Sequence, residues 1–136
     1  MNQESNIVIQ FYQNLGKLFF AFAAIDNYVR TEELNKLIEI VNKKWMLLKN
    51  FDDNSRQAIV DTFKWLQKDN EYNAETCFKS FLEYMQSHQS LFNNNINKLI
   101  LKTATEITAS FSGQNKSEVI LLAKLDLELK KYSNEK

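Results

Sequence analysis

No proline interrupts this chain of 136 residues, and only two glycines, Gly16 and Gly113, stand in it. Sheets need glycine and proline at hairpins, bulges and tight turns, whereas helix–helix connections need few special dihedrals. A chain this poor in both reads as all-α. Its length suits one domain. A domain of this size buries roughly two-thirds of the surface exposed by its unfolded chain, so neither disulfide nor metal is required for folding. Ten phenylalanines supply a dense core.

Apolar residues recurring every 3.6 positions divide the chain into six helical segments. The first, residues 6–25, carries Val8, Phe11, Tyr12, Leu15, Phe19, Phe22 and Ala23 on one stripe. Leu18 and Phe20 widen that stripe until the second half is apolar nearly all round, the pattern of a helix surrounded by others. The second, 31–49, places Leu34, Leu37, Ile38, Val41, Trp45 and Leu48 on one face. The third, 55–68, carries Ile59, Phe63 and Leu66, with Asn54 as its N-cap and Gln57 at the capping-box position. The fourth, 74–86, has the cleanest spacing: Ala74, Cys77, Phe78, Phe81, Leu82 and Met85. The fifth, 91–111, shows Ile96, Leu99, Ile100, Thr103, Ala104 and Ile107.

The sixth, 116–131, carries Val119, Ile120, Leu121, Leu122, Ala123, Leu125, Leu127 and Leu129. That is broader than one buried stripe requires. The helix either sits deep in the bundle or offers a face to a protein partner or a second copy. The tails are short and polar, and no linker is visible. The expected architecture is a single-domain bundle of about six helices over residues 1–136, with an ordered core at about 6–132.

Charge balances, with 17 basic and 17 acidic residues. Dispersed lysines on a neutral chain lack the footprint that phosphate backbones demand, so no nucleic-acid partner is expected. The first residues have no basic region of a secretory signal. The most apolar run, residues 18–25, is too short for a bilayer, which takes ~20 residues, so no membrane insertion is expected. The single cysteine fits a reducing compartment. A cytoplasmic location follows from these together.

Catalytic groups are sparse. Cys77 and His88 are the only thiol and imidazole. On one continuous helix they would stand about 16 Å apart, too far for a nucleophile–base pair. Cys77 also lies on the apolar stripe, and His88 reads as a solvent-facing turn residue. Neither glycine opens a phosphate loop. No enzyme is expected. Trp45, Trp65, Phe63, Phe78 and Phe81 occur at helical spacing and read as core.

Two helix–turn–helix junctions share a pattern. Ala23-Ala24-Ile25-Asp26-Asn27-Tyr28-Val29-Arg30-Thr31-Glu32-Glu33-Leu34 joins the first two helices, and Ala109 to Ile120 joins the last two. Aligned end to end, Asp26 matches Ser112, Asn27 matches Gly113, and Glu32 matches Glu118. Asn27 and Gly113 are residue types that close a helix in the left-handed conformation. The glutamates fall in a first helical turn, where negative charge is stabilised. Chain geometry accounts for most of that likeness.

The Ala-Ala-x-Asp-x-x-Val-x-x-Glu-Glu-Leu segment, echoed near the C-terminus, resembles the TerB-like family, small all-helical bacterial domains named for tellurite resistance. The resemblance implies a non-enzymatic module in a stress-linked bacterial process. It further implies that the two turns lie together and that their acidic residues bind a divalent cation. Carried over by position, the implied ligands are Asp26, Glu32, Glu33 and Glu118. Two departures stand out: Asn27 replaces a usual glycine, and Ser112 stands where a second aspartate would be. A hard cation wants six or more oxygens, many of them carboxylate, so losing one to a hydroxyl implies a weak or degenerate site.

Overall fold

In a computed structural model the chain is an all-α bundle. The structure describes residues 3–26, 29–69, 73–109 and 115–131, with side chains from residue 6 onward. Among these, six α-helices run as α1 (Gln3–Ala24), α2 (Thr31–Lys43), α3 (Asp53–Asp69), α4 (Ala74–Ser87), α5 (Asn94–Thr108) and α6 (Lys116–Lys131). Single 3-10 turns, Trp45–Leu47 and Gln89–Leu91, lie between α2 and α3 and between α4 and α5. Asn27, Ser112 and Gly113, on which the left-handed closures and the missing carboxylate were placed, lie outside the described residues.

α1 is the central helix, packed against α3, α4 and α5. Its second half is enclosed on every side: Leu18, Phe19, Phe20, Ala21, Phe22 and Ala23 are all buried. Edge-on ring contacts knit it to its neighbours, Phe20 with Phe63 of α3 and Phe22 with Phe78 of α4. Cys77 is buried in this core, as its place on the stripe implied. α6 closes the bundle against α5.

The second helix is shorter than the periodicity suggested. α2 stops at Lys43, and the chain tightens into the 3-10 turn that swings Trp45 inward. Asn50, with φ 69°, then takes the left-handed conformation that asparagine tolerates. At the start of α3 the capping residue is Asp52, not Asn54. Its Oδ1 accepts the Ser55 backbone N–H at 2.9 Å and the Ser55 hydroxyl at 3.0 Å. Asn73 and Asn93 cap α4 and α5 in the same manner, accepting from Thr76 and Ile96. Each such cap satisfies a donor that a helix start otherwise leaves open.

Two side chains depart from their expected places. Trp65 is 55% exposed, because α3 turns Ile59, Phe63 and Leu66 inward and leaves position 65 on the opposite face. His88 is half-buried at the end of α4, its ring stacked on Tyr84 at 4.1 Å with Nδ1 2.9 Å from the Tyr84 carbonyl oxygen.

Gly16 fixes how closely α1 and α3 cross. A Cβ at this position would stand 2.5 Å from the Ile59 carbonyl oxygen and 3.0 Å from Thr62 Cβ. The first neighbour is backbone, so the helices must separate to admit it. Gly16→Ala should therefore destabilise the fold by about 2 kcal/mol, even though alanine gains about 1 kcal/mol in helix propensity. Chemical denaturation of the two chains checks this, and an alanine chain of equal or greater stability would contradict the tight crossing.

Candidate functional site

Asp26, the start of α2 and the start of α6 lie within electrostatic reach of one another, and their carboxylates form one group. Asp26 lies in the turn just after α1 and is half-buried. Arg30, immediately before α2, donates from Nη1 to Asp26 Oδ2 at 3.1 Å. Glu33, in the first turn of α2, is only 1% exposed. Its Oε1 accepts the Arg30 backbone N–H at 2.8 Å. Glu118 occupies the same place in α6 and is 3% exposed. It accepts the Asn115 N–H at 3.0 Å and donates its own N–H to Asn115 Oδ1 at 2.9 Å, closing a reciprocal capping box.

The structural counterpart of Glu118 is thus Glu33 rather than Glu32. Both fold their carboxylates back onto the residue that opens their helix. Glu32, one position earlier, is exposed to solvent and takes no part in the group. Of the four residues singled out in the sequence, Asp26, Glu33 and Glu118 gather at the junction, and Glu32 does not.

Burial and proximity show in their acidities. Burial pushes the Glu33 carboxyl up to about 7; the Arg30 backbone N–H opposes that rise, and the charges of Asp26 and Glu118 add to it. Glu118 is also raised, by burial first and by Asp26, with the Asn115 N–H and the Arg30 charge opposing. Three acids and one guanidinium therefore share the junction, and Arg30 is the cation that offsets them. Arg30 carries no signal of this role in the sequence, where it reads as one more charge in a polar turn.

The donor set does not fit a divalent ion as it stands. Among the described residues, no group of three or more histidine, cysteine or acidic side chains is placed to hold one. Glu33 and Glu118 each commit an oxygen to a backbone N–H, and Asp26 commits one to Arg30. Hard cations want those same oxygens.

Elsewhere, burial raises the Cys77 thiol above its ordinary value, with nearby Lys17 opposing. A thiol held protonated is a small hydrophobe rather than a nucleophile. Lys17 itself reaches Ser80 Oγ of α4 at 3.0 Å. No helix among the described residues is long and apolar enough to cross a membrane. No family model, no curated protein and no solved structure matches this chain.

Proposed function

We propose that this chain is a non-enzymatic, cytoplasmic helical module of TerB-like kind, serving a stress-linked bacterial process. In this reading its acidic junction is a degenerate divalent-cation site. The observation that carries the reading is the convergence of Asp26, Glu33 and Glu118 from two junctions far apart in the chain, with Arg30 set among them. Arg30 supplies the positive charge that an ion would bring, and supplies it permanently, because guanidinium does not deprotonate in proteins.

The test is to remove the resident cation and offer another. Thermal unfolding of the wild-type chain should be unmoved by millimolar magnesium, calcium, manganese or zinc. Arg30→Gln should unfold at a lower temperature and recover part of the loss when one of these ions is added, since a ligand that binds the folded state stabilises it by mass action. An Arg30→Gln chain indifferent to all four ions would overturn the cation-site reading. A wild-type shift of many degrees at low ion concentration would show an intact site rather than a degenerate one.

A further inference from the structure

α6 is apolar on two faces, and only one of them is used by the bundle. Leu121, Leu125 and Leu129 are buried against the rest of the fold, together with Glu118. On the other side Leu127 is 67% exposed, Val119 50% and Ile120 46%, with Ala123 also exposed. Ile120, Ala123 and Leu127 follow one another at offsets of three and four, so they line one edge of the helix over two turns.

The same face also carries lysines. At 3.6 residues per turn Lys116, Lys124 and Lys131 all lie within about 40° of Ile120 around the axis. Lys130 stands beside Leu127 and pairs with Asp126 of its own helix. Of the acids of α6, Glu118 is buried on the far side, whereas Asp126 and Glu128 are half-buried at the flanks of the strip, so four lysines there meet two carboxylates.

From this charge and spacing we infer that the outer face of α6 docks an acidic amphipathic helix of a partner protein. Offsets of three and four are the spacing by which one helix seats on another, and small Ala123 between Ile120 and Leu127 lets a partner backbone approach. Glutamates or aspartates flanking the partner's own apolar stripe would meet Lys116 and Lys124. An antiparallel second copy of α6 would set lysine against lysine, so like charge disfavours it. A lipid surface is matched less well, since helices that lie in a bilayer insert tryptophan, phenylalanine or several leucines.

Two synthetic peptides of three heptads test the inference, both with leucine at the two seam positions, one flanked by glutamate and the other by lysine. Fluorescence anisotropy should show the glutamate peptide binding the intact chain and the lysine peptide not binding. That binding should weaken roughly tenfold between low and high salt, as rim charges are screened. Ile120→Gln with Leu127→Gln should abolish it, and Lys116→Glu with Lys124→Glu should reverse the preference. All four positions are at the surface, so both double variants should keep the wild-type unfolding temperature within a few degrees. The inference is overturned if neither peptide binds at millimolar concentration or if both bind equally. It is equally overturned if vesicles of phosphatidylcholine and phosphatidylserine, or a second copy of the chain, occupy the face while the glutamate peptide does not. None of these outcomes touches the Arg30 experiment, which reads the opposite face of α6.

Discussion

Trp45→Ala should lower stability by about 4 kcal/mol, the largest single loss expected in this chain. Trp45 is the bulkiest of the fully buried side chains. Its ring meets Tyr12 and Phe19 of α1 edge-on at 6.2 Å and lies tilted against Phe51 at 6.1 Å. Its indole Nε1 donates to Thr103 Oγ1 of α5 at 2.9 Å, and the Thr103 hydroxyl donates on to the Leu99 carbonyl at 2.8 Å. One side chain thus ties the turn after α2 to the central helix and to α5. Domains are stable by only about 5–15 kcal/mol, so the loss should bring the melting temperature down by roughly 10 °C or more. Trp45→Phe separates the two contributions. It keeps an aromatic ring in the cavity and forfeits the hydrogen bond, leaving Thr103 its donation to Leu99, and should cost about 1–2 kcal/mol. A calorimetric loss below that for the alanine chain would show that Trp45 does not anchor the bundle.

Between pH 4.5 and pH 8 the fold should lose about 3 kcal/mol through Glu33 alone. The ordinary carboxyl value of 4.5 applies in the unfolded chain, and about 7 in the fold. The folded state therefore holds the Glu33 proton more tightly. Its stabilising contribution is fully present below pH 4.5 and is lost as pH rises through about 7. Glu118, raised in the same direction, steepens the decline. Glu33→Gln should flatten this dependence and be more stable than wild type at pH 8. Glutamine still offers an oxygen to the Arg30 N–H, so the cap survives while the buried charge is gone. Urea midpoints at pH 5 and pH 8 measure both effects. A wild-type chain as stable at pH 8 as at pH 5, with Glu33→Gln no different, would refute the buried-acid account.

The helices themselves are legible in the sequence. Periodicity placed the six segments, and residues 18–23 proved as enclosed as their all-round apolar character implied. Cys77 lies where its stripe put it. These properties depend on neighbours within a turn or two, so local pattern carries them. Helix ends were less legible, because they follow competition between nearby polar groups. Asp52 outcompeted Asn54 as a cap, and the inward pull on Trp45 ended α2 early.

The junction was half legible. Matching the turns by residue type paired Glu32 with Glu118, one position out of register, because two adjacent glutamates cannot be told apart without knowing which one reaches back to the helix start. Trp65 shows the same limit in reverse. An aromatic at helical spacing looks like core until the helix is set against its neighbours, and α3 had already filled its inner face with Ile59, Phe63 and Leu66.

All-helical character and the inner faces of the helices therefore follow from composition and spacing, since both are short-range. The crossing at Gly16, the two-faced use of α6, and the gathering of Asp26, Glu33 and Glu118 around Arg30 belong to the packed bundle alone. Each depends on which surfaces meet across dozens of residues, and only packing brings such surfaces within reach of one another.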